Sequence, residues 1–304
     1  MSLAQLHSDP TATSLETPGR PGRRKRSADA LPWRAEGRSR EIAGLRVDGT
    51  NYAEAVQAIC GMAEAGSGGS VCVATVHTAI ESRDDPSLRR ALARADLVTP
   101  DGMPLVLGLR LLGVGGATRV YGPALTGVLC RRAETLGLAV GFYGASPEVL
   151  DELLRRTAYR FPRLRIAFRM SPPYRELSPE EDAALVEALR ESGVAILFVG
   201  LGCPKQERWI LAHRDRLPCV LVGVGAAFDF LAGAKRQAPP LLQALGLEWL
   251  FRLSQEPARL WRRYLFGNPR FLFYFAQQLA ATLDAQLKRR LRAPATGIAR
   301  GGPR

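Results

Sequence analysis

From residue 42 to about 246 the chain alternates between short apolar runs and longer helix-like segments. The runs are "SVCVAT" (70–75), "ADLVT" (95–99), "AVGFYG" (139–144), "RIAFRM" (165–170), "AILFVGLG" (195–202) and "CVLVGVG" (219–225). Most are apolar at every position instead of every second one, the pattern of strands covered on both faces. Between them the spacing predicts helices over 51–65, 85–94, 103–112, 123–136, 147–158, 178–192 and 204–216. "SPEVLDELL" and "SPEEDAALVEAL" each open with a Ser N-cap, a Pro at the first helical position and acids in the first turn. Such alternation predicts an α/β chain with a Rossmann-like, doubly wound, mostly parallel sheet.

The pattern changes after residue 246. "LEWLFRLSQEPARLWRRYLFGNPRFLFYFAQQLAATLDAQLKRRLR" has helical periodicity, many aromatics and many arginines, but no strand. It predicts two or three amphipathic helices, broken near Pro257 and at "GNP" (267–269). Trp249, Leu250, Phe251, Leu253, Leu260, Trp261, Leu265 and Phe266 make the apolar side, with Arg252, Arg259, Arg262 and Arg263 among them. Two readings fit: a subdomain packed on the sheet, or a helical unit lying in a membrane interface.

Charge sharpens the second. Of a formal net charge of +13, residues 1–40 carry eight Lys/Arg against four Asp/Glu, and 248–304 carry eleven against three, leaving 41–247 at +1. A nucleic-acid binder spreads basic residues over its folded face; basic ends on a neutral middle suit an anionic lipid surface. The expected organisation is a disordered basic tail (1–40), an α/β core (41–246), a helical membrane-associating appendage (247–290) and a disordered tail (291–304). No apolar run reaches the ~18 residues of a spanning helix. The N-terminus lacks the apolar stretch of a signal peptide. Five scattered cysteines, none in a CxxC pair, and three histidines without metal spacing suggest a reducing cytosol and no metal site.

Chemistry concentrates at the ends of the apolar runs. "RADLVTPDGMP" (94–104) places Asp101 just beyond one of them. Asp-Gly is a common turn pair, but parallel sheets also bind ligands outside their strands' carboxyl ends, where an acid can serve as a general base. Thr75 ends another run in "VATVHTA", where it caps the turn or donates to a ligand; His77, in the same loop, is structural or touches substrate. Arg119 in "GATRVYGPA" forms a salt bridge or clamps a phosphate. "FVGLGCPKQERWI" (198–210) carries Gly200 and Gly202 into a helix start, where backbone amides can hold an anion and Lys205 and Gln206 would face it. "VGVGAAFDFLAGAKRQAP" (222–239) has Phe228 at the third position of the dinucleotide fingerprint and no acid placed for a ribose, so a nicotinamide-binding oxidoreductase is the weaker enzyme reading. A non-catalytic membrane module is the other alternative. No P-loop and no Asp-x-Asp metal motif occurs.

"TPDGMPLV", "RVYGPALT", "GFYGASPEVL", "VGLGCPKQERWI", "GVGAAFDFLAGAKRQAP" and "LGLEWLFRLSQEPARLWRRYL" occur in that order. Over roughly residues 42–279 the chain resembles the WecG/TagA/CpsF family of bacterial glycosyltransferases. The resemblance implies inverting, metal-independent transfer of a sugar from a UDP-sugar, UDP-N-acetylmannosamine or UDP-glucose, to a polyprenyl diphosphate-linked saccharide in cell-surface polysaccharide or teichoic-acid-type synthesis. It implies that Asp101 is the base and that Thr75 and Gln206 touch substrate. It implies an appendage that docks on the inner face of the cell membrane and lends Arg252, Arg259 and Arg262 to the site. No cofactor is implied, and a homo-oligomer is left open. Many members have Asn where His77 stands and Asp where Ala124 stands, which bears on donor or acceptor choice.

Overall fold

A computed structural model describes residues 37–292 of the chain. The tails expected at 1–40 and 291–304 lie outside these residues, except for 37–40 and 291–292. A hairpin of β1 (Ser39–Ile42) and β2 (Leu45–Asp48) leads into α1 (Tyr52–Glu64). Then follow β3 (Gly69–Ala74), α2 (Val76–Asp84), α3 (Pro86–Ala93), β4 (Leu97–Pro100), α4 (Met103–Leu111) and α5 (Gly122–Leu136). The second half holds β5 (Val140–Gly144), α6 (Pro147–Arg160), β6 (Ile166–Met170), α7 (Pro179–Glu191), β7 (Ile196–Gly200), α8 (Lys205–His213) and β8 (Val220–Gly223). Two short helices, α9 (Ala227–Leu231) and α10 (Pro240–Ala244), precede α11 (Glu248–Gln255) and α12 (Pro257–Arg292).

Six strands form one sheet in the order β4-β3-β8-β7-β5-β6, parallel throughout. Successive residues go to opposite covers. Val71, Val73, Phe142, Ile196, Phe198 and Val222 pack against Ile59 of α1, Leu125 and Leu129 of α5 and Leu150 of α6. On the other face Cys72, Ala74 and Val98 meet Ile80, Leu92, Leu105 and the hairpin's Ile42 and Leu45. Leu197, Val199 and Leu221 there meet Leu185, Leu189 and Ile210. This double cover is why the strands read as unbroken apolar runs.

The hairpin was not expected from the sequence. Its buried Asp48 accepts the backbone N–H of Val98 at 2.8 Å and the Ser39 hydroxyl at 2.6 Å, tying it beside β4. Nor was α2, whose sequence VHTAIESRD has no apolar stripe; it is started by a reciprocal cap between Thr75 and Thr78. His77 therefore sits in the first turn of a helix, not in the expected loop.

The expected break at Pro257 separates α11 from α12, but "GNP" does not break the chain: α12 runs through Pro269. A proline inside a helix forfeits one N–H bond. Here Leu260 and Tyr264 on one side, and Phe271 on the other, are buried and hold both halves in line. Phe271 enters the cluster built on Cys72 and Val98. The appendage thus packs on the sheet layer through Phe271.

One polar contact reinforces this. Gln278 of α12 accepts the buried Ala43 N–H at 2.9 Å and donates to the Glu41 carbonyl at 2.6 Å. Gln278→Ala leaves that N–H unpaired and should cost about 2 kcal/mol. Thermal or urea unfolding of the two proteins checks it.

Candidate active site

The Asp101 N–H donates to the Ala74 carbonyl at 2.8 Å, extending the β3–β4 ladder one residue past β4. The carboxylate therefore stands at the carboxyl edge of the sheet, beside Thr75. Gly102 is the N-cap of α4, with an ordinary φ of −84°. The Asp-Gly pair is a strand-to-helix junction and not a left-handed turn.

Arg119 is fixed next to it because Val120 N–H bonds the Pro100 carbonyl at 2.8 Å. Its guanidinium donates to Asp101 Oδ1 from Nε at 3.1 Å and Nη2 at 3.0 Å, and from Nη2 to Glu248 Oε2 at 2.6 Å. It also lies over the Tyr121 ring, 4.3 Å from the centroid. One cation thus bridges the sheet-edge carboxylate and a carboxylate of the appendage.

These groups border a cavity of about 290 Å³ roofed by α11 and α12. Thr75, His77, Asp101 and Arg119 face it from the sheet side. Glu248, Trp249, Arg252, Arg263, Tyr264 and Asn268 face it from the roof. A second groove of about 550 Å³ adjoins it, sharing Met103, Arg119 and Gln243 and reaching Tyr52, Ala124, Arg160 and Gln237. Ala124, one of the two noted departures, belongs to this groove.

Burial pushes the Asp101 carboxyl up to about 6; Arg119 and Arg252 pull against that, and Glu248 adds to it. Burial, aided by Arg263, pushes His77 down to about 4, so its ring is neutral near pH 7. Arg263 is the other unusual group. Its Nε is buried without a partner, and it makes no hydrogen bond or ion pair with any described residue. Burial lowers its pKa from the ordinary guanidinium value. The guanidinium lies over the Tyr264 ring, 5.7 Å from its centroid, and a partly buried cation that lines a cavity with no described carboxylate beside it suits an anion.

Six of the expected site residues, Gly200, Gly202, Lys205, Gln206, Arg259 and Arg262, lie outside this lining. Gly200 packs on Phe228, whose ring would sit 2.6 Å from a Cβ placed there. Gly202 is left-handed at φ +79° and its carbonyl accepts the Gln206 N–H at 2.9 Å. Lys205 is exposed and donates to the Tyr174 carbonyl at 3.3 Å. Gln206 is buried; its Oε1 accepts the Gly225 N–H at 2.8 Å and its Nε2 donates to Glu207 at 2.9 Å. Arg259 is paired with Glu256, and Arg262 lies over Trp261 on the outside of α12. Thr75 both lines the cavity and caps α2, and Asp229 pairs with Lys235 at 3.2 Å.

Glu248, Trp249, Arg263 and Tyr264 were not singled out beforehand as ligands of the site. Arg263 had a signal. It falls three residues after Leu260 and beside Tyr264, on the stripe that the helix turns inward.

A parallel doubly wound sheet with a carboxylate at its carboxyl edge, facing arginines across a partly open cavity, has the parts an enzyme needs to move a group between a hydroxyl and an anionic leaving group. A profile described as the glycosyl transferase WecG/TagA/CpsF family matches residues 40–285. The chain is also 32% identical, over 199 residues, to a protein of Bacillus spizizenii strain W23 named N-acetylglucosaminyldiphosphoundecaprenol N-acetyl-beta-D-mannosaminyltransferase. That match covers 65% of this chain and 75% of the relative. The chain belongs to the WecG/TagA/CpsF family and is a glycosyltransferase, which sets aside the oxidoreductase and the non-catalytic module.

Proposed function

We propose that the enzyme transfers N-acetylmannosamine, with inversion, from its UDP derivative to a hydroxyl of a polyprenyl diphosphate-linked N-acetylglucosamine. The observation that carries the reading is Asp101 facing Arg252 and Arg263 across one cavity. The acceptor oxygen forms a bond to the anomeric carbon while the bond from that carbon to the β-phosphate oxygen breaks. Asp101 takes the acceptor's proton, and UDP leaves as the anion. Arg252 and Arg263 meet the diphosphate's developing charge, as fixed dipoles and cations do in other group transfers. Counter-charge from arginine makes metal-independent turnover the expectation. The donor's identity is borrowed from the Bacillus relative's name; UDP-glucose is the competing donor.

We further propose that the reaction takes place at the inner surface of the membrane, because the proposed acceptor is lipid-linked. Supporting this, Leu250, Leu265, Phe266 and Phe273 are exposed along the appendage. Among the described residues no helix is long and apolar enough to cross a membrane.

The test is UDP release on vesicles carrying the acceptor, with EDTA present. UDP-N-acetylmannosamine, UDP-glucose, UDP-N-acetylglucosamine and UDP-glucuronate are compared. Release from the first alone is expected. Release from another donor would replace the sugar; silence with all four would overturn the reading.

A further inference from the structure

Arg119 has two carboxylate partners from opposite ends of the site. Asp101 belongs to the sheet edge, whereas Glu248 opens α11, 129 residues beyond Arg119. Both carboxylates are largely buried, with side-chain exposures of 15% and 14%. Glu248 lines the cavity from the first turn of α11, and its carboxylate is turned onto Arg119. Its neighbour Trp249 packs on Tyr264 of α12, centroids 5.8 Å apart, so α11 and α12 seat together. Seating them brings Glu248 onto Arg119.

We propose that Glu248 is a positioning residue: through Arg119 it makes the orientation and basicity of Asp101 depend on the appendage being seated. The inference rests on the reading of Asp101 as the base. With the roof seated, the Arg119 charge is divided between two carboxylates. With it lifted, Arg119 serves Asp101 alone, and an acid fully matched by a bidentate guanidinium is a weaker base. The appendage thus supplies a control on the proton acceptor besides a wall and an anion site.

The charged and titratable groups around Asp101 are few. Arg119 and Tyr121 come from the segment before α5, Tyr52 from α1, and Glu248 and Arg252 from α11. His77 on α2 and Arg263 on α12 line the same cavity. Arg119 and Arg252 favour the ionised carboxylate, and Glu248 opposes it.

The experiment titrates the Asp101 carboxyl carbon by 13C NMR in the full chain, labelled at aspartate Cγ and assigned by the signal lost in Asp101→Asn. Glu248→Gln keeps the shape and removes the charge. It should lower the Asp101 midpoint by about half a pH unit or more. Glu248→Asp, which keeps the charge at shorter reach, should fall between that and the wild type, and it serves if the Gln variant folds poorly. On vesicles, Glu248→Gln should move the acid limb of kcat the same way and lower its plateau about fivefold, with the donor KM little changed. An Asp101 midpoint unmoved in both variants would overturn the proposal. The titration needs no turnover, so it still decides the role of Glu248 should every donor prove silent and the transferase reading fall.

Discussion

Asp101→Asn should lose about a thousandfold in kcat, within the range that a positioned general base contributes, and yet melt no lower than the wild type at pH 7.5. The second half distinguishes a base from a structural acid. Burial holds the folded Asp101 at about 6, above its ordinary 3.8. A carboxyl raised in this way stabilises the fold while protonated. That contribution is fully present below the ordinary carboxylate range and is lost as pH rises through about 6. Above pH 6 the ionised group opposes folding, by up to roughly 3 kcal/mol for a shift of this size. Asparagine removes the opposing charge, and Arg119 keeps Glu248 as its partner. A rise of a few degrees in Tm is therefore expected. Differential scanning calorimetry beside a UDP-release assay measures both halves. A variant that loses activity and several degrees together would mark Asp101 as a structural acid.

Arg263→Met should weaken UDP binding about a hundredfold, the cost of losing a buried charged partner of a phosphate, while again raising stability. The guanidinium has a buried, unpaired Nε and no carboxylate partner among the described residues, a burden to the free protein that an apolar side chain of similar volume relieves. It should also free His77 from one of the two influences that hold its pKa near 4, so that the ring titrates higher. Arg262→Met is the contrast, since Arg262 lies outside the cavity over Trp261; it should leave UDP affinity within about twofold, as surface changes do. Calorimetric titration of UDP at low and moderate salt reads both variants. Equal affinity in Arg263→Met and wild type would remove Arg263 from the anion site.

The sheet was legible because its physics is local to each strand. Phe142 and Tyr143 go to opposite covers, so the run around them is apolar at every position. Ser146 and Ser178 cap their helices as their Ser-Pro openings announce. What stayed hidden depends on distant partners. Helix α2 has no apolar stripe of its own and is packed against α12, the appendage helix. The Gly-Asn-Pro stretch carries a local signal to stop, which burial of Tyr264 and Phe271 on either side overrides.

The site divides the same way. Asp101 could be found as an acid just past a strand end. Which arginine of α12 faces it could not, because that depends on how α12 is rotated about its axis, and Leu260, Tyr264 and Phe271 set that rotation. The family resemblance pointed to Arg252, Arg259 and Arg262; Arg252 lines the cavity together with Arg263, while Arg259 pairs with Glu256 and Arg262 lies over Trp261.

The cavity draws its walls from Thr75 through Leu272. All six strands of the sheet, by contrast, are already spelled out by residue 223. On the ribosome, then, the scaffold can be finished while the reaction centre is still missing its roof, its anion-binding arginines and the second partner of Arg119. Reactivity thus comes last along the chain: one cut short before Arg252 would carry all six strands and lack the arginines that face Asp101.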